Sequence, residues 1–237
     1  MKTYYISFDD TDNLNSLGTG HLLQNFLDGL NCKSSFISRH QLFFNPAVPY
    51  TSHNSSMVSQ IITDLSETQL AEIAGEYLEQ HLALGADPGL CIARLDSIIN
   101  PQLLVNWGYR AKKEVLCKED AYALAQKCNV HLSEHGGTGQ GVVGALAAIG
   151  LRLAGQDGRV KGKKTVSSTE MTVEQLLNET GFQCVSALGE GILPKNQLLF
   201  LKNNTVKAVY QNFKSTVIAE KINGKYYVLD KSEIKCF

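Results

Sequence analysis

A mixed α/β (α+β) region followed by a small, mostly antiparallel β tail is the fold that the sequence predicts. Three observations carry it. Strand-type alternation and helix-type spacing interleave over residues 1–160, β-type runs crowd 161–237, and the composition is globular: 237 residues, 43% hydrophobic and 19% charged. At this length the chain makes one large domain or two smaller ones, and a boundary is expected within 158–168.

The elements follow in order. Residues 2–8 alternate, with Tyr4, Ile6 and Phe8 on one face, as in a half-buried strand. The carboxylates of the 9–17 loop begin where that strand ends, and 18–30 spaces Leu22, Leu23, Phe26, Leu27 and Leu30 at helical intervals. Two neighbouring strands, 34–44 and 55–64, flank a connection whose Pro46 and Pro49 forbid a helix. A capping box, Ser66 to Gln69, opens a helix over 66–83, and a strand is expected at 89–95. Helices are predicted over 102–116 and 118–128, a short strand at 130–132, and then the glycine-rich stretch 136–141. After it, 142–154 is apolar all round and is predicted to be a helix buried on most sides. In the tail, a short helix near 173–180 precedes strands at 183–188, 197–201, 205–213, 216–221 and 225–229. The last pair is joined by the hairpin signal Asn223-Gly224.

Charge and cysteine usage exclude several classes. With 22 Lys and Arg against 23 Asp and Glu, the chain has no global cationic excess to collect phosphate backbones. No apolar run approaches the roughly 20 residues of a membrane span, and the acidic start does not resemble a signal peptide, so a cytoplasmic protein is expected. The six cysteines are scattered, without CxxC pairs or zinc-ligand spacing, and read as reduced, incidental thiols.

Three constellations carry chemistry. Asp9-Asp10-Thr11-Asp12 places three carboxylates within four residues, which repel unless a cation or solvent neutralises them. A Mg²⁺ ion suits such a loop at a strand end, and so does a solvated helix-capping turn. Gly136-Gly137-Thr138-Gly139-Gln140-Gly141 runs into a helix, an arrangement that either cradles an anion or allows tight packing. It lacks the Lys-Ser/Thr ending of a Walker A loop and the spacing of the Rossmann fingerprint. Arg110, Lys112 and Lys113 near a helix end, with His53, His131 and His135, are candidate phosphate contacts or bases, or else ordinary surface residues. Together these are the parts for nucleoside triphosphate chemistry, where positioning and charge neutralisation dominate.

The same motifs, in order over residues 6–154, resemble the archaeal tRNA-isoleucine agmatinylcytidine synthetases. The similar segments are Asp9-Asp10-Thr11-Asp12 with Gly18-Thr19, Asn45-Pro46-Ala47-Val48-Pro49-Tyr50, Asp87-Pro88-Gly89, the basic stretch 110–116 and, most similar, 139–150. The resemblance implies a kinase-like catalytic domain packed with a ferredoxin-like domain, with ATP and Mg²⁺ held between them. It implies metal and phosphate chemistry for Asp9, Asp10 and Asp12, and a phosphoacceptor role for Thr19. His53-Asn54-Ser55-Ser56 departs from the family's Arg-Gly-Asn-Gly. The stretch after residue 158 is too short for the family's OB-fold and zinc ribbon, which together with the neutral charge makes tRNA a doubtful substrate.

The expected activity is therefore that of a Mg²⁺-dependent, ATP-using phosphotransferase or ligase-like enzyme acting on a small molecule or other unidentified acceptor. Asp9, Asp10, Asp12 and Thr19 are its candidate catalytic residues. Gly137, Thr138, Gly139, Gly141, Arg110, Lys113 and His53 are the candidates for holding the nucleotide. Two other readings stand beside it: tRNA cytidine modification with a partner protein supplying the RNA grip, and a non-catalytic nucleotide-binding module.

Overall fold

In the computed structural model, which describes residues 1–46 and 54–236, the chain divides into two compact units, Met1–Ala154 and Gly155–Phe237. The first is built on an antiparallel sheet with the spatial order β6-β5-β1-β4-β3. Its elements are β1 (Lys2–Asp9), α1 (Thr19–Gly29), β2 (Lys33–Ser34), β3 (Ser38–Gln41), β4 (Ser55–Thr63), α2 (Glu67–His81), β5 (Gly89–Arg94), α3 (Pro101–Ala111), α4 (Lys118–Cys128), β6 (His131–Glu134) and α5 (Gly141–Ala154). The run β1-α1-β3-β4-α2-β5 with its order β5-β1-β4-β3 is the ferredoxin-like split βαβ arrangement, contained within residues 2–94.

Both faces of this sheet are covered. On one, Leu22, Leu23, Phe26 and Leu27 of α1 and Leu70, Ala74 and Leu78 of α2 pack on Tyr4, Ile6, Phe8, Leu90 and Ile92. On the other, α5 packs with Trp107 of α3 and Ala121 and Ala125 of α4 over Tyr5, Cys91 and Ala93. The half-buried reading of β1 is thereby corrected, since its residues from Tyr4 to Phe8 are all buried. The alternation is real, but the second face carries small residues such as Ser7 because a helix backbone lies close above it.

That closeness comes from glycine. A Cβ on Gly150 of α5 would fall 1.9 Å from the Leu104 carbonyl oxygen of α3, and one on Gly108 of α3 would meet Leu151 at 2.8 Å. The two helices cross where each presents a residue without a side chain. At the amino end of α5, a Cβ on Gly89 would stand 2.2 Å from the Gly141 carbonyl carbon, so the helix starts directly against the edge of β5.

Most element boundaries agree with the sequence reading within a few residues, including the capping box of α2, where Ser66 Oγ accepts from the Gln69 N–H. The helix expected over 102–116 stops at Ala111 because the Ala111 carbonyl, which a continuing helix would give to residue 115, accepts the Phe43 N–H at 2.9 Å. The strand expected at 130–132 extends to Glu134 by pairing with β5.

The second unit centres on β15 (Lys214–Ile222), flanked antiparallel by β14 (Val209–Gln211) and β16 (Lys225–Val228) and parallel by β10 (Cys184–Ala187). Beyond β16 lie β12 (Leu198–Leu201), also parallel to its neighbour, and β9 (Glu170–Thr172), while β11 (Gly191–Ile192) edges β10. Two further short pairings involve β7 (Arg159–Val160) with β14 and β8 (Lys164–Thr165) with β13 (Thr205–Val206). Antiparallel pairs predominate, as expected, but the β10–β15 and β12–β16 pairs are parallel. The helix α6 (Val173–Thr180) begins in a Thr172–Gln175 capping box, and the β15–β16 turn places Asn223 and Gly224 at positive φ. The division between units falls before the expected 158–168 stretch: Gly155, at φ +71, packs against the Phe213 ring and its carbonyl accepts the Phe213 N–H.

Replacing Gly150 by alanine should lower the unfolding free energy by about 1–3 kcal/mol, because rigid backbone rather than a flexible side chain blocks the new methyl. Gly29→Ala, where no atom lies within 4 Å, should leave stability within about 0.5 kcal/mol of wild type. Equilibrium denaturant unfolding of the two variants checks the contrast.

Candidate functional site

The carboxyl ends of β1 and β6 and the amino end of β5 coincide, with Asp9 registered on Gly89 and Gly89 on Glu134. Loops from all three strands converge there and frame a cavity of about 550 Å³ within the first unit. Its described lining includes Asp9, Asp10, Asp12, Thr19, Asp87, Glu114, Gly137, Thr138, Gln140, Gly141 and Gly144. Five carboxylates face this space, and no Lys, Arg or His is among the described lining residues.

Each carboxylate has a distinct setting. Asp9 continues the β1 alternation toward α5, where it is 8% exposed and occupies the room left by Gly144: a Cβ there would lie 1.7 Å from Asp9 Oδ2. Burial, with Asp10 and Asp12 adding to it, pushes the Asp9 carboxyl well above the usual range. Asp10 turns the chain with φ +49, and its carboxyl is raised to about 6 by burial and by Asp87 and Asp12. Asp12 Oδ1 accepts the Thr19 hydroxyl at 2.8 Å, while Thr19 Oγ1 lies 3.5 Å from the Thr11 N–H. The first turn of α1 thus brings a buried hydroxyl to a carboxylate.

The segment before β5 is bound to this loop by backbone. Ala83 and Asp87 donate their N–H groups to the Thr11 and Asp10 carbonyls at 3.1 and 3.0 Å. Asp87 then reaches the glycine-rich loop, accepting the Gly139 N–H and the Thr138 hydroxyl. Gly137 and Gly139 adopt φ of +59 and +80, and a Cβ on Gly139 would overlap Glu134 Oε2 at 1.5 Å. On its outer side, Lys118 Nζ donates to the Thr138 carbonyl at 2.7 Å and pairs with Glu134 at 3.1 Å.

The candidate residues therefore separate. Asp9, Asp10, Asp12, Thr19, Gly137, Thr138 and Gly141 come together around one cavity. Gly139 does not present an open donor: its N–H is held by Asp87, a correction to its reading as a phosphate cradle. Arg110 and Lys113 are also corrected, because neither lines the cavity: Arg110 pairs with Glu114 at 2.8 Å and lies over Trp107, and Lys113 follows the point where α3 has already ended. His53 lies outside the described residues. As a metal set, Asp9, Asp10 and Asp12 do not converge, and among the described residues no three acidic, His or Cys side chains form a ready ligand group. Asp9 points inward against α5, leaving Asp10 and Asp12. These still suit a hard cation, since Mg²⁺ commonly takes one or two carboxylates and completes its shell with water and phosphate oxygens. Asp87, Glu114 and Lys118 join the site although none stood out as a site residue in sequence. Asp87 gave only the signal of an acidic residue before Pro-Gly, and its role depends on a loop about 50 residues away.

No protein-family model matches the chain, and no curated protein matches it by sequence. Solved structures do match by fold. The chain superposes on a complex of TiaS with tRNA and ATP with a TM-score of 0.57 at 18% identity, covering 83% of this chain and 50% of that one. It also matches a tRNA fluorescent labeling enzyme (0.56, 21% identity, 70% and 39% covered) and a complex of TiaS with tRNA, AMPCPP and agmatine (0.55, 19%, 73% and 43%). The chain has the fold of TiaS, a tRNA agmatidine synthetase, and spans half or less of the length of these structures. The expectation that tRNA is a doubtful partner is overturned by this comparison, because two of the three fold relatives are captured with tRNA.

Because the folded state holds the Asp10 proton up to about pH 6 while the unfolded chain releases it near pH 4, ionising Asp10 costs stability as pH rises through this window. Asp10→Asn, which keeps a residue tolerant of positive φ, should be more stable than wild type by about 2 kcal/mol at pH 7.5. The gap should close below pH 4, where the carboxyl is protonated in both states. Denaturant midpoints measured from pH 4 to 8 test this.

Proposed function

We propose that the chain is an ATP-using enzyme that modifies RNA, with tRNA as its substrate, and that its chemistry runs in the cavity of the first unit. The observation that carries this reading is a carboxylate-rich, buried site containing a hydroxyl bonded to a carboxylate, Thr19 to Asp12. A bare polyphosphate would be repelled by this acidic lining, so the nucleotide enters with its own cation. Asp10 and Asp12 would hold Mg²⁺, which when bound neutralises charge building on the transferred phosphoryl group. Gln140 and Gly141 at the amino end of α5 line the same space and favour an anion there through the helix dipole. The fold shared with structures solved with ATP and tRNA supports both the nucleotide and the polynucleotide.

Within this reading Thr19 is a phosphoacceptor. Its Oγ forms a bond to phosphorus as the P–O bond to the departing part of the nucleotide breaks, and the hydroxyl proton passes to Asp12. Near-complete burial of Thr19 keeps water from competing for the phosphoryl group.

Incubation with Mg²⁺ and γ-labelled ATP should place label on the protein at Thr19, located by peptide mass spectrometry. Thr19→Ala should carry none, and Asp12→Asn should label about 10²–10⁴-fold more slowly, the usual worth of a positioned base. Label that persists in Thr19→Ala would remove the phosphoacceptor role. tRNA-dependent ATP consumption by the wild-type chain tests the wider activity.

A further inference from the structure

The near-zero net charge of the chain conceals a segregation. Residues 1–154 carry ten Lys and Arg against fifteen Asp and Glu, whereas residues 155–237 carry twelve against eight. Within the second unit the cations gather on one ribbon, in which 159–166 runs antiparallel to 204–209. Arg159 pairs with Val209 and Lys164 with Val206, while the Val160 and Val166 N–H groups donate to the Ala208 and Asn204 carbonyls, each at 2.9 Å. Val160, Val166, Val206 and Ala208 are buried and anchor the ribbon to the unit. Lys163 and Lys164 are exposed, and Arg159, Lys161 and Lys207 are half-buried beside them, Lys207 Nζ donating to the Gly162 carbonyl at 2.9 Å. Half of the carboxylates of the unit are engaged elsewhere: Glu174 with Lys195, Glu190 with Lys221, Glu233 with Lys202, and Glu179 with the Ser167 N–H and hydroxyl.

We infer that this ribbon binds the phosphate backbone of a folded RNA. Exposed Lys163 and Lys164, in a ribbon that is cationic along its length, neutralise adjacent phosphates and release their counterions, the main source of affinity for a polynucleotide. The ribbon holds no aromatic residue to stack on a base, so it positions RNA without reading sequence. Nor does it expose a large apolar side chain to anchor a lipid surface. The choice of RNA rests on the proposed function; the polyanion-binding surface itself rests on the charge and geometry of the second unit.

The test uses the full chain with Lys163→Glu and Lys164→Glu combined, and a milder Lys163→Gln, Lys164→Gln pair, after confirming unchanged melting temperatures. Binding of an unmodified tRNA transcript should weaken about tenfold or more at roughly 100 mM salt for the Glu pair. The slope of log affinity against log salt should flatten by about 1.4–1.8, two phosphate contacts at about 0.7–0.9 each. Unchanged affinity and slope in a chain whose wild type binds tRNA would overturn the ribbon and leave the proposed function standing. Ribbon-dependent binding without tRNA-dependent ATP consumption would do the reverse. Absence of any RNA binding by wild type overturns the ribbon assignment, as does equal competition by polyglutamate, which would mark a surface for acidic protein.

Discussion

The constraint on which the first unit depends is the approach of α5 to the sheet at backbone distance. Gly141 meets Gly89, Gly144 makes room for Asp9, and Gly150 meets α3, so side-chain bulk is absent wherever the helix touches another element this closely. Such contact buries the helix on nearly all sides and leaves its amino end at the rim of the sheet, where three strand ends coincide. A helix with ordinary side chains at these positions would stand further off, and the cavity would lose both its floor and the dipole of its helix terminus.

Enclosing carboxylates in this way is costly, and the site bears the mark of it. The Asp9 and Asp10 carboxyls are both raised, each by burial first and by like charges second. Under the proposed function, a cation arriving with a phosphorylated ligand would remove this repulsion. Asp87 has a structural part in the same cluster. By accepting from Gly139 and Thr138 it ties the glycine-rich loop to the segment that also bonds the acidic loop.

The charges of the two units answer different needs. The first unit is acidic and the second basic, and adding them into one number hides both. The reading that tRNA is a doubtful partner used a net charge summed over both units, and it is overturned by the fold shared with structures solved with tRNA.

Local chemistry in the sequence was enough to determine the helices and strands with clear periodicity, the capping box of α2, the Asn223-Gly224 turn and the acidic loop at the end of β1. These depend on neighbours within a few residues, and propensity and hydrogen bonding act at that range. The nearness of Thr19 to Asp12 follows from a separation of only seven residues, and was legible in part. Tertiary structure alone decided that Asp87 would hold Gly139, that Asp9 would turn inward against Gly144, that Arg110 would pair with Glu114 away from the cavity and that α3 would surrender its Ala111 carbonyl to Phe43. Each of these, apart from the Arg110 pair, joins residues tens of positions apart. Even that pair lies beside a helix end where Phe43, from the segment that follows β3, takes the Ala111 carbonyl.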